Sequence, residues 1–150
     1  MKITLILLTL SIIMIPLLAV ALSKSEEPQI DGIYKMDVWI GATLYTDLLQ
    51  LKTQKGSASG APLSGTVTLP TIFTAPLTGD YHYDAKAKNG KITFEINTAE
   101  RGKALKVRYE GTLSQFKKSK RFTFSGTASD LNEGKVFGKI EALPLETVRE

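Results

Sequence analysis

The 150-residue chain has no cysteine, one histidine and one tryptophan. Without cysteine there is no thiol nucleophile, no cysteine-ligated zinc, no lipid-attachment cysteine and no disulfide, so packing alone must hold the fold together. Any Ser-His-Asp relay would have to use His82, and no Gly-x-Ser-x-Gly elbow accompanies it. Asp80, His82 and Asp84 alternate along one strand, ~7 Å apart from one to the next, a strained spacing for a shared metal. A solvated polar face is the plainer reading of these three. No paired carboxylates fall on the expected inward face, so glycosidase chemistry has no support. The formal charge of +4 is too small and too scattered for a nucleic-acid footprint. Together these absences lead to the expectation of a non-enzymatic protein with no metal, no cofactor and no nucleic-acid partner.

Charge is also missing from residues 3–22, ITLILLTLSIIMIPLLAVAL. Lys2 precedes this run, Pro16 sits where a signal's apolar core should end, and Ala19-Val20-Ala21 is an A-x-A cleavage site. The pattern is that of a secretory signal peptide. The same run is also long enough to act as an uncleaved anchor helix. Either way the N-terminal segment engages the membrane and the rest is exported. The exported part is then periplasmic or extracellular, free or tethered by residues 3–22. Residues 1–22 therefore read as signal or anchor, 23–30 as a polar spacer, 31–143 as one domain, and 144–150 as a short tail. About 120 residues are enough for one core.

From Asp31 onward apolar residues recur with period two and no convincing helical period appears. Tyr34, Met36 and Val38 alternate with Lys35 and Asp37, and Ile92, Phe94 and Ile96 with Lys91, Thr93 and Glu95. Leu105, Val107 and Tyr109 repeat the pattern, as do Phe122 and Phe124. Such runs have one wet and one dry face. The one ambiguous run is Leu44 to Leu51. The spacing predicts about eight strands, over 32–40, 43–54, 63–69, 77–86, 91–97, 104–113, 121–128 and 135–142. Asn89-Gly90 is the strongest hairpin-turn signal, since both residues tolerate positive φ. Other turns are expected at Gly41-Ala42, Lys55–Gly60, Arg101-Gly102, Lys117–Lys120 and Asn132–Gly134. Short connections make neighbours antiparallel, and closure removes the exposed edges. The expected fold class is all-β, a single antiparallel up-and-down barrel behind an N-terminal signal or anchor helix.

Five strands also place a glycine on the apolar parity: Leu63-Ser64-Gly65, Leu77-Thr78-Gly79, Tyr109-Glu110-Gly111, Phe124-Ser125-Gly126 and Val136-Phe137-Gly138. Inward glycines allow the sharp coiling that a small barrel needs. With Gly32 opening the first strand, these short motifs resemble the avidin-like and lipocalin-like meander barrels of the calycin type. The resemblance spans most of residues 31–142 and implies a barrel with an interior suited to a small molecule. Trp39 is the only tryptophan, which argues against an avidin-like biotin site.

The expected walls of a ligand site are Tyr81, Tyr83, Phe94, Tyr109 and Phe124, with Phe73 on the proline-bracketed segment Pro70–Pro76 as a lid. The same residues read equally as filled core. Trp39, off the inward parity, and the basic turn of Lys117, Lys118, Lys120 and Arg121 are the candidate interaction surface. The basic turn reads equally as a solvated hairpin tip. The functional expectation is a barrel binding a small apolar molecule. The alternative is an envelope module with a filled barrel that docks on another protein through a patch around Trp39 or Phe137.

Overall fold

Alternation of side chains across a pleated strand is enough to build most of this molecule. A computed structural model describes residues 29–53, 62–69, 72–100, 102–116 and 120–145. The signal or anchor segment and most of the spacer lie outside the described residues, as do Lys55–Gly60, Pro70 and Thr71. The strands are β1 (Gly32–Ile40), β2 (Thr43–Thr53), β3 (Pro62–Leu69), β4 (Phe73–Asp84), β5 (Asn89–Glu100), β6 (Lys103–Gln115), β7 (Phe122–Asp130) and β8 (Lys135–Pro144). Each pairs antiparallel with its neighbour in sequence, and β8 returns to β1 to close an eight-stranded barrel. The closing ladder runs from Tyr34↔Pro144 to Trp39↔Lys139, so every strand is paired on both sides.

The dry face of each strand points inward. β1 contributes Tyr34, Met36 and Val38, β5 contributes Ile92, Phe94 and Ile96, and β6 contributes Val107, Tyr109 and Leu113. The ambiguous run 44–51 is strand: Asp47, Leu49 and Leu51 are buried inside, while Leu44 and Leu48 face out, exposed. Gly126 shows why inward glycines recur. A Cβ there would lie 1.8 Å from the Glu110 carbonyl oxygen and 2.5 Å from the Gly111 Cα. Neighbouring strands thus touch backbone to backbone where the barrel coils most tightly.

Three local readings need correction. The hairpin between β4 and β5 turns at residues 85–88, and Asn89-Gly90 begins β5. The Asp84 carboxylate nucleates that turn by accepting hydrogen bonds from the Lys86 and Ala87 amides at 2.8 and 3.0 Å, and Lys88 takes the positive φ. Gly90 serves close packing instead, since a Cβ there would meet the His82 carbonyl oxygen at 2.1 Å. Second, Phe73–Pro76 is not loop but the start of β4. Pro76 pairs with Thr66, and the β4–β5 ladder reaches only Leu77↔Ile96, so no β5 ladder bond calls for the missing Pro76 N–H. Third, Phe137 is not on the outer surface. A β-bulge places Val136 opposite Ser129 and Gly138 opposite Ala128, leaving Phe137 between them. The shift turns Val136 out to 65% exposure and packs Phe137 against the core.

The two ends of the barrel differ. At the end where the chain enters, Ile30 is buried and the Tyr34 hydroxyl donates to its carbonyl at 2.9 Å. The Gln29 amide donates to Lys120 O at 2.7 Å, and the Arg121 guanidinium donates to the Asp31 carbonyl. The Asp31 carboxylate accepts from the Thr53 amide and hydroxyl at 2.8 and 2.6 Å. Residues 29–31 therefore plug this end. The middle is filled by aromatic rings: Phe94 stacks on Tyr109 at 4.8 Å, and Phe124 packs between Phe94 and Tyr34 at 6.1 and 5.9 Å. The opposite end is open.

Candidate functional site

The open end is built from the last residues of odd-numbered strands and the first residues of even-numbered ones. It encloses a cavity of about 340 Å³. Val38 and Ile40 of β1, Ile96 of β5, and Leu105 and Val107 of β6 line it. Leu69, Ile72 and Phe73 close in from the β3–β4 hairpin, where the Ile72 amide donates to Leu69 O at 3.1 Å. The bulge delivers Phe137 from β8, and Tyr45 stands at the rim. Tyr109 stacks on Phe94 and separates the cavity from the packed middle. One side of the mouth is tied down by the β7–β8 turn: Asn132 Nδ2 donates to Ala104 O at 3.1 Å and the Leu131 amide to Lys106 O at 2.9 Å.

One carboxyl stands in this apolar lining. Asp47 lies on the inward parity of β2, one residue beyond the last β2–β3 pair, Leu48↔Thr68. It is 1% exposed, the only buried charged residue among the described residues, and its Oδ1 has no hydrogen-bond partner. Burial, and then the negative charge of Asp37 on the outer face of β1, push its carboxyl up to about 7. Asp37 itself is held below the usual carboxylate range by hydrogen bonds from Lys35 Nζ at 2.9 Å and Thr46 Oγ1 at 2.7 Å. Burial, and then the Asp47 charge, raise the Tyr109 phenol above its ordinary range.

The residues singled out from sequence are not gathered in one place. Tyr109 and Phe73 line the cavity. Phe94 and Phe124 form the filled middle, at 0% and 1% exposure. Tyr81 and Tyr83 lie toward the plugged end, where Tyr83 meets Phe122 edge-on at 4.7 Å. Trp39 points outward from β1, half-buried, between Leu44 and Lys139. Lys120 and Arg121 border the plug, while Lys117 and Lys118 lie outside the described residues. Asp80, His82 and Asp84 face out from β4. Among the described residues no group of three His, Cys, Asp or Glu side chains could hold a metal. The sequence reading missed most of the cavity wall, including Asp47, Ile40, Leu105 and Phe137. Asp47 was findable, since it shares parity with Leu49 and Leu51. The chain matches no family model, no curated protein and no solved structure.

Proposed function

We propose that this protein is an exported, non-enzymatic binding protein that takes a small, largely apolar molecule into the open end of its barrel. The observation that carries the reading is the cavity itself. At about 340 Å³, with a mostly apolar lining and one carboxyl, it resembles a ligand site at the small end of the usual range. Removing ~200 Å² of ligand apolar surface from water would supply about 5 kcal/mol before ordering costs. The calycin-like meander fits this use, although a fold alone assigns none. In favour of binding without chemistry, the described cavity-lining residues include one carboxyl and two phenols, but no serine, lysine, histidine or second carboxylate. The charge-free run 3–22 supports export. Its attachment point at Gln29 is at the plugged end, so a tether there would leave the mouth clear.

Native mass spectrometry of the protein purified from its own host tests the reading. A small-molecule adduct is expected, together with thermal stabilisation by added fatty alcohols or isoprenoids. Leu105→Trp, at the half-buried rim, should fill the cavity and abolish the adduct with little change in melting temperature. A bare mass and no stabilisation by any apolar additive would sink the proposal.

A second reading, docking on an envelope protein, draws on the outer face of β8, β1 and β2. Leu48 and Leu143 flank Lys35 there, the Leu145 amide donates to Ile33 O at 2.9 Å, and all four apolar residues are exposed. In-cell cross-linking that recovers no partner, with a monomeric profile in solution, counts against it.

A further inference from the structure

Among the described residues, Asp47 holds the one buried side-chain polar atom left without a hydrogen bond. A carboxyl that is 1% exposed with an unpaired Oδ1 is costly, and an apolar side chain in its place would pack without that cost. We propose that Asp47 receives the polar head of the ligand, and that this head is a protonated amine on a small apolar body. The inference rests on the cavity reading above and adds the ligand's chemical class.

The field around the site selects the sign of the head group. Among the described residues, the charged and titratable groups near Asp47 are Asp37 on β1 with its partner Lys35, Tyr45 on β2 itself, and Tyr109 on β6. From β3 and β8 the cavity receives Leu69 and Phe137, which carry no charge. Among the described residues no lysine, arginine or histidine lines the cavity, and Lys35 is engaged with Asp37 on the outside. The described lining therefore offers one carboxyl and no cation. Four aromatic rings stand in its lining, on Tyr45, Phe73, Tyr109 and Phe137, and ring faces attract ammonium groups. An ammonium bound here would give Oδ1 a charge-assisted hydrogen bond and keep Asp47 ionised. A carboxylate ligand would instead set a second negative charge beside the first. An alcohol would fill the bond without cancelling the charge.

Calorimetric titration of the full chain with octylamine, octan-1-ol and octanoate separates these cases. At about pH 8, octylamine should bind at least about tenfold more tightly than octan-1-ol, with octanoate weakest. Asp47→Asn should erase the preference for the amine. On lowering the pH from about 8 to about 5, Asp47 gains a proton while the amine, with a pKa near ~10, stays charged. Octylamine affinity should then fall about tenfold while octan-1-ol affinity holds. This arm needs no variant, so it decides the matter even if Asp47→Asn does not fold. Octan-1-ol binding as well as octylamine, or a preference that survives in Asp47→Asn, overturns the amine proposal and leaves the cavity reading standing. Failure of all three probes to bind overturns both.

Discussion

At the scale of the residue, Asp47 is the side chain that goes against its surroundings. Its folded-state pKa is raised from 3.8 to about 7, so between those values the folded protein binds more protons than the unfolded chain. Stability therefore falls as pH rises through that window, by on the order of 4 kcal/mol for this group alone. Asp37 works in the opposite sense. Its pKa is lowered, so its contribution is present above the ordinary carboxylate pKa and is lost as pH falls through the lowered folded value. We expect Asp47→Asn, compared with the unmodified protein by urea unfolding without ligand, to be more stable at pH 8, by on the order of 4 kcal/mol, and nearly equal at pH 4. An equal difference at both pH values would show that the fold leaves the Asp47 carboxyl as easy to ionise as in the unfolded chain. Asp47 was legible in the sequence only as parity. Its neighbours Leu48 and Leu49 invited a helical reading, and nothing in the run marks the height along the barrel at which its carboxyl would lie.

At the scale of the element, period-two patterning located all eight strands, while turn chemistry and strand ends were less legible. Asn89-Gly90 carries the strongest short-range turn signal, yet the turn forms one step earlier because Asp84 caps it and Gly90 is needed where strands touch. The two prolines around Phe73 suggested a loop, but a strand tolerates Pro76 where its far side has no ladder partner. The bulge at Phe137 was invisible because one inserted residue reverses parity without changing composition. Strand contact at the glycines makes a graded prediction. Gly126→Ala places a Cβ 1.8 Å from backbone and should cost roughly 2–4 kcal/mol. Gly111→Ala, whose Cβ meets the Ser125 carbonyl oxygen at 3.0 Å, should cost distinctly less. Equal urea midpoints for the two variants would mean that the strands part easily there.

At the scale of the whole molecule, closure makes the interior a single column, plugged at one end, filled in the middle and hollow at the other. The plug is set by Ile30, just before the first strand, and its burial ties the incoming chain to the barrel floor. Ile30→Ala should lower stability by about 2–4 kcal/mol while leaving ligand uptake at the far end intact. Loss of uptake along with stability would show that the two ends are coupled through the aromatic column. What the sequence by itself determined is the class of the fold: alternation fixes which side chains face inward, and an all-antiparallel meander of this length closes to hide its edges. What only the tertiary structure decided is position along the barrel axis. Tyr81, Tyr83, Phe94, Phe124 and Tyr109 share one inward face, but register and stagger put the first two near the plug, the next two in the packed middle and the last beneath the cavity. Parity is a local property of the chain, whereas height is set by how all eight ladders align.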